Sequence, residues 1–381
     1  MKILVSAGEA SGDVYAALLV EELRRLWPEA ELFGCTGPRL RAAGVRTVVD
    51  AASLAVVGIF EVVSHIPRIW GEYRKLAAAA RRERPNVAIL TDSPDFHLRL
   101  ARRLRRAGIP VVYLVAPQVW AWRKHRVRAM RRDLAHLLCI FPFEEAFFRR
   151  HGVAATYLGH PLAGVVRPQL PREEFFRKHS LNPARPLITV MPGSRRGESA
   201  RHVPILVSAV DILARRTKAQ FLLPASVTTG TAFFRERIGS APIQVMEGEN
   251  WDAMAHADVV LAASGTVTIE AALLGAPMVT FYRVAPITWA AGRWLVDVPF
   301  YSMVNLVAGR RIVPELIQPE MTGERIAAEA LRLLEDEAAR AQMRAGLAET
   351  ARLLALPGVP PMQRAAAVIQ DLMEGQVSHV S

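Results

Sequence analysis

Short apolar, β-branched runs alternate with longer amphipathic stretches along the whole chain, which is the pattern of strands and covering helices in parallel α/β sheets. Five runs in the first half predict strands near Ile3 to Ser6, Glu31 to Gly34, Val87 to Leu90, Val111 to Val115 and Leu137 to Phe141. Five more predict a second sheet, near Leu187 to Met191, Gln220 to Leu223, Ile243 to Met246, Val259 to Ala262 and Pro277 to Phe281. Pro161, Pro168 and Pro171 mark the connection, and the stretch Asn182-Pro-Ala-Arg-Pro186 closes it. The expected fold class is α/β, with two Rossmann-like doubly wound parallel sheets facing an interdomain cleft. Residues 1–165 form the first domain, 166–186 a linker, 187–355 the second domain, and 356–381 a helix returning to the first. After Pro314 the Ala-, Arg- and Glu-rich sequence reads as helix.

Composition agrees with two cores, since 381 residues with 51% hydrophobic content exceed what one domain usually holds. Cys35 and Cys139 both fall in strand-like apolar runs, which points to reduced thiols and not to a disulfide framework or a metal site. The first apolar run meets Glu9 too early for a signal peptide, and no stretch of about 18 uncharged apolar residues occurs. A cytoplasmic protein without a membrane-spanning helix is therefore expected. Charge narrows the partners. Of the net +12, residues 1–160 carry +10 (25 Lys and Arg against 15 Asp and Glu), and residues 161–381 only +2 (23 against 21). The basic half calls for an anionic partner, and nucleic acid or an anionic membrane surface would both serve.

Candidate chemistry sits where strands end. Asp92 follows the strand near Val87 to Leu90, where parallel sheets place ligands, and a carboxylate there can take a proton from an attacking sugar hydroxyl. Helix-start chemistry is the plain alternative, with Ser93 as N-cap, Pro94 as first helical residue and Asp95 as a dipole-stabilising acid. It accounts well for Asp95 and poorly for Asp92. Gly8, Glu9, Ser11, Gly12 and Asp13 open the first helix, leaving backbone N–H groups for an anion or a close-lying sugar. Their spacing is not the dinucleotide fingerprint, and a tight turn with Glu9 exposed explains them equally well. Trp120 and Trp122, with Arg123 opening a basic run, could line a sugar or acyl site beside a phosphate. One buried and one helix-start tryptophan beside a solvated face is the simpler reading.

In the second half, Arg195 or Arg196 after Pro192-Gly-Ser could clamp a diphosphate. Ser264, Gly265 and Thr266 open another helix, with Glu270 about one turn on, so that N–H groups would meet phosphate while the acid accepts from ribose hydroxyls. Each motif is common alone; two at the edge of one sheet reinforce each other. A stripe from Val56 to Leu76 holds Ile66, Ile69 and Trp70 at helical spacing, with Pro67 expected to break or kink the helix. Such stripes usually face a core. Its breadth, and a basic rim from Arg81, Arg82, Arg84, Arg99, Arg102, Arg103 and Arg106, make an interfacial membrane patch the alternative.

The set Ala7-Gly-Glu-Ala-Ser-Gly-Asp13, Thr91-Asp-Ser-Pro-Asp-Phe96, Pro117-Gln-Val-Trp-Ala-Trp-Arg123, Pro142-Phe-Glu144, Gly159-His-Pro161, Pro192-Gly-Ser-Arg195, Ala263-Ser-Gly-Thr266 and Asn305-Leu-Val-Ala-Gly-Arg310 resembles the lipid-A-disaccharide synthase family. The resemblance runs over nearly the whole chain. It implies an inverting GT-B glycosyltransferase that uses no metal or other cofactor. The implied donor is UDP-2,3-diacylglucosamine, the acceptor 2,3-diacylglucosamine 1-phosphate (lipid X), and the products the β-1,6-linked lipid A disaccharide 1-phosphate and UDP. It makes Asp92 the base on the acceptor 6-hydroxyl, puts Arg195, Glu270 and Asn305 at the UDP, and turns the loop from Gly8 to Asp13 toward the reacting sugars. Acylated substrates stay in a membrane, so a peripheral enzyme on the anionic cytoplasmic face of the inner membrane is expected. Nothing then requires nucleic acid as a partner, and a homodimer is left open. A UDP-sugar epimerase on the same fold is the nearest enzymatic rival, and a basic nucleotide- or nucleic-acid-binding protein the non-enzymatic one.

Overall fold

The computed structural model describes the chain except residues 55–58, 123, 227–228, 286–288, 290–297 and 378–381, and except the side chains of 59–66, 124 and 376–377. The chain divides into two compact units, Met1–Pro161 with Leu356–Ser381 and Leu162–Ala355.

The first unit is built on seven parallel strands: β1 (Lys2–Ala7), β2 (Glu31–Thr36), β3 (Arg46–Asp50), β4 (Val87–Thr91), β5 (Val111–Leu114), β6 (His136–Cys139) and β7 (Ala155–Tyr157). They lie in the order β3-β2-β1-β4-β5-β6-β7. Strands β4 and β5 are buried at every position, the mark of a parallel sheet covered on both faces. The order reverses between β1 and β4, which pair with Ser6 opposite Leu90 and Ala7 opposite Thr91. Their carboxyl ends therefore emerge side by side, at the kind of topological switch point where open α/β sheets bind ligands. Helix α1 (Ala10–Leu26) follows β1, α2 (Pro38–Ala42) follows β2, α3 (Ile59–Glu83) precedes β4, and α4 (Pro94–Arg106) follows it. The last helix, Pro361–Val377, packs on α1 and buries Ala365, Ala366 and Ile369.

The second unit repeats the design with β8 (Leu187–Met191), β9 (Gln220–Ala225), β10 (Ile243–Glu247), β11 (Val259–Ala263), β12 (Met278–Tyr282) and β13 (Glu315–Ile317), in the order β10-β9-β8-β11-β12-β13. Its switch point lies between β8 and β11. The loops from Pro192 and from Ser264 leave the sheet there, next to each other.

Several elements differ from expectation. Strands β3, β7 and β13 lie at sheet edges and are too short or too polar for periodicity to show. Pro314 does not start a helix: its carbonyl accepts from the Thr280 amide (3.0 Å) and hydroxyl (2.7 Å), which pulls Glu315–Ile317 into the sheet edge. Helix α3 runs through exposed Pro67 without a break, so of the two outcomes expected there only the break is excluded. The stretch expected as linker holds a packed helix, Arg172–Lys178, whose Phe175 and Phe176 join Leu187 and Leu222 in the second core.

Candidate functional site

At the first switch point, the two loops singled out in the sequence meet. Asp92 lies just past β4, and its carboxylate accepts from the Gly8 amide (Oδ1, 2.8 Å) and the Glu9 amide (Oδ2, 3.0 Å), at the N-terminus of α1. The anion that these freed N–H groups meet is thus the protein's own carboxylate. Such an approach requires glycine: a Cβ on Gly12 would stand 1.7 Å from Asp92 Oδ2. Two N–H bonds and a helix N-terminus favour the ionised form. Burial outweighs them, and the pKa is pushed up to about 7 from 3.8, with the Glu9 carboxylate adding to the rise. A carboxylate poised near neutrality suits a general base.

The backbone at this point is strained. Asp92 (φ 56°) and Ser93 (φ 38°) are both left-handed, at a cost of about 1–2 kcal/mol each for non-glycine residues. Ser93 does occupy the N-cap position of α4 but makes no side-chain cap, while Asp95 sits in the first turn and pairs with Arg126. The Asp92 carbonyl accepts from His97 Nδ1 (2.9 Å) and from the Tyr113 hydroxyl, both fully buried. Sequence reasoning passed over His97 and Tyr113. The available signal was His97 in line with Leu100, Ala101 and Leu104 on the buried face of α4.

Other expected residues of the first unit divide. Glu9 and Ser11 are exposed on the first turn of α1, where a ligand can reach them. Asp13 is a correction: it is 2% exposed, and its carboxylate accepts from the amides of Gly37 (2.9 Å), Arg39 (2.8 Å) and Leu40 (3.2 Å). It caps α2 and does not face sugars. Trp120 is also buried, its Nε1 donating to Glu144 Oε1 (3.1 Å), while Trp122, the last residue of the short helix Val119–Trp122, is 46% exposed. Glu144 is buried too and its pKa is pushed up to about 8 by desolvation, although Trp120 and the Ile140 and Phe141 amides donate to it. Arg123 and the Ile66 side chain lie outside the described residues. On α3, Ile69 is half-buried and Trp70 is 50% exposed, stacked on Tyr73 at 5.0 Å.

At the second switch point, Gly193 takes φ 114°, a conformation that favours glycine, and Arg195 sits at the N-cap of the helix Arg196–Arg216. Both arginines are exposed, and the Arg196 guanidinium lies over the Phe233 ring at 5.9 Å. Buried His202 ties this loop to the next one, with Nδ1 donating to the Pro192 carbonyl (2.8 Å) and Nε2 accepting from the Arg283 amide (3.0 Å). Ser264 donates to the Tyr301 carbonyl (2.8 Å), Gly265 is the N-cap, and exposed Thr266 opens the helix Thr266–Leu273. Glu270 on that helix has its pKa raised by burial, against a hydrogen bond from Trp251. Trp251 and Glu270 line a cavity of about 490 Å³, together with Lys178, Glu249, Asn250 and Asp252. Asn250 Oδ1 and Asp252 Oδ2, on two of the lining residues, are buried without a hydrogen-bond partner.

Asn305 is the second correction. It is fully buried, its amide donating to the Val313 carbonyl (2.9 Å) and Glu315 Oε1 (2.8 Å), and its oxygen accepting from the Ile312 (2.8 Å) and Val313 (3.0 Å) amides. All four hydrogen-bonding sites are spent on its own scaffold, so it braces the approach to β13 and does not meet a donor directly. Among the described residues, no group of three or more His, Cys, Asp or Glu is arranged to hold a metal ion.

Comparison with known proteins places this geometry in a family. The family model described as Lipid-A-disaccharide synthetase matches residues 3–356. The Lipid-A-disaccharide synthase of Solibacter usitatus is 68% identical over 381 residues, covering 100% of both chains. Two solved structures share the fold at low identity. The UDP-GlcNAc 2-epimerase from Neisseria meningitidis bound to UDP-GlcNAc is 12% identical, with a TM-score of 0.62 over 98% of this chain and 100% of that one. The calicheamicin glycosyltransferase is 16% identical, with a TM-score of 0.60 over 98% of each chain. Transferases and epimerases thus share this GT-B architecture, and fold alone does not separate them.

Proposed function

The chain belongs to the lipid-A-disaccharide synthase family, and from that premise we propose that it is the glycosyltransferase that joins UDP-2,3-diacylglucosamine to 2,3-diacylglucosamine 1-phosphate. The acceptor 6-hydroxyl attacks the anomeric carbon of the donor, the bond from that carbon to the UDP oxygen breaks, and a β-1,6 linkage forms with inversion. Asp92 takes the hydroxyl proton as the new bond forms, and UDP leaves with the bonding electrons. The observation that carries this reading is the Asp92 carboxylate at the first switch point, backed by the Gly8 and Glu9 amides and poised near pH 7.

The donor's nucleotide belongs to the second unit in this account. Arg195 and the N-terminus of the helix Thr266–Leu273 meet the diphosphate charge. Glu270 accepts from the ribose hydroxyls, and the neighbouring cavity of about 490 Å³ takes the base. Hydrogen-bond donors aimed at the leaving phosphate do the work of stabilising its charge.

We assign the acyl chains and the membrane to the first unit. No described helix is long and apolar enough to cross a bilayer. Exposed Trp70 with Ile69, near exposed Arg68 and Arg74, suits peripheral binding at an anionic membrane surface, on the cytoplasmic face of the inner membrane. The test of the activity is UDP release from the diacylated donor with and without the acylated monosaccharide phosphate. Release that depends on the acceptor and is matched by disaccharide supports transfer; sugar turnover without any acceptor supports the epimerase reading instead.

A further inference from the structure

His97 takes no part in the reaction as written, yet its surroundings are built around the base. It is fully buried, where an imidazole is costly unless both nitrogens are bonded. Both are: Nδ1 lies 2.9 Å from the Asp92 carbonyl oxygen and Nε2 lies 2.7 Å from Ser6 Oγ. A carbonyl only accepts, so Nδ1 carries the proton, Nε2 is the acceptor, and the Ser6 hydroxyl donates to it. Burial keeps this single neutral form, with the pKa pushed down to about 4. The Tyr113 hydroxyl donates to the same carbonyl, which therefore has a donor for each lone pair.

That carbonyl belongs to the peptide between two successive left-handed residues, Asp92 and Ser93. Non-glycine residues hold such a conformation only where the surroundings over-determine it. Here the turn is what brings the Asp92 carboxylate back onto the Gly8 and Glu9 amides. His97 Nδ1 is 3.8 Å from Asp92 Oδ1, too far for a hydrogen bond, so no proton passes between the two side chains. The imidazole acts on the backbone of the base and not on its carboxylate.

We propose that His97, with Tyr113, is a positioning residue for the reaction: it pins the Asp92 carbonyl, and through it the left-handed turn that aims the carboxylate at the acceptor hydroxyl. Ser6 on β1 anchors the far side of the ring, so the device links the carboxyl ends of the two strands that flank the switch point. The inference rests on the reading of Asp92 as base.

Two substitutions separate positioning from packing. His97→Asn sets an amide N–H where Nδ1–H stands and loses Ser6; His97→Gln reaches toward Ser6 and leaves the Asp92 carbonyl without that donor. Steady-state kcat and KM for transfer are measured across neutral pH in the full chain, with the folded fraction determined for each variant. We expect His97→Asn to keep kcat within roughly threefold, while His97→Gln loses about 10–100-fold in kcat with little change in KM, as a misdirected base would. The acid limb of kcat in His97→Gln should also move up by about one pH unit. The cause is that the carboxylate loses the Gly8 and Glu9 amides that lower its pKa, while the Glu9 charge and burial that raise it persist. Equal effects of Asn and Gln on stability, with kcat per folded molecule and the acid limb unmoved, would overturn the positioning role. If His97→Gln does not fold, Tyr113→Phe carries the same test, with a smaller shift in the same direction expected and an unmoved acid limb fatal to the idea. Full activity of Asp92→Asn would sink the base assignment itself. An inactive Asp92→Asn beside a wild-type His97→Gln sinks the positioning role alone.

Discussion

Replacing Asp92 with Asn should change how stability depends on pH. The Asp92 pKa stands at about 7 in the folded protein against 3.8 for the ordinary group. Because the folded pKa is raised, the folded state keeps this proton where the unfolded chain has lost it, so stability falls as pH rises between those values and levels off above pH 7. The ionised side chain then costs about 4 kcal/mol in the folded protein. Over the interval from about pH 5 to about pH 8, the loss works out to roughly 2.5 kcal/mol. Asparagine carries no charge, and its own defect, an amide N–H₂ that must avoid a backbone donor at Gly8 or Glu9, is the same at every pH. Urea unfolding of parent and variant at both pH values therefore isolates the carboxylate. Relative to the parent, Asp92→Asn should gain roughly 2.5 kcal/mol from the lower pH to the higher. Parallel stabilities would refute the claim that an ionised Asp92 is held against its desolvation cost.

Gly12→Ala would set a methyl 1.7 Å from Asp92 Oδ2, so transfer should fall at least about 100-fold while UDP affinity, read by calorimetry, is unchanged. Asn305→Ala strips four hydrogen bonds from a buried scaffold; denaturant unfolding of the second unit should report a loss of about 3 kcal/mol. Glu270→Gln keeps the fold and weakens UDP binding by roughly tenfold in the same calorimetric titration, since one charged acceptor for ribose is lost. Ser at Ile66, Ile69 and Trp70 should reduce flotation with anionic vesicles without altering circular dichroism; unchanged flotation removes this patch from the account.

Both sheets were legible because their central strands are continuous apolar runs ended by Gly, Pro, Ser or Asp. The paired switch-point loops followed from that, which is why Asp92 and the Gly8 segment, 84 residues apart in hydrogen-bonded contact, were both singled out. Edge strands were not legible. Arg46–Asp50 alternates poorly and Ala155–Tyr157 is three residues long, so pairing with a neighbour, and not local pattern, makes them strands. Polar motif residues posed a different problem. Asp13 and Asn305 look as ligand-directed as Asp92, and only the fold reveals that their acceptors are filled by backbone amides of α2 and of the approach to β13. His97 was hidden for the converse reason: on the apolar face of α4 a histidine reads as filler until Ser6 arrives from β1.

The central claim is that Asp92 removes the proton of the acceptor hydroxyl. It is tested most directly by single-turnover transfer from UDP-diacylglucosamine to the acylated acceptor, followed against pH for the parent and Asp92→Asn, with UDP binding measured in parallel. The parent rate should rise through about pH 7 and level off, following ionisation of the carboxylate. The variant should bind UDP as the parent does, transfer about 10²–10⁴-fold more slowly on the parent's plateau above pH 7, and show no rise near neutrality. A folded Asp92→Asn protein that transfers at the parental rate, or that keeps the same rise near neutrality, would contradict the account and put the base elsewhere.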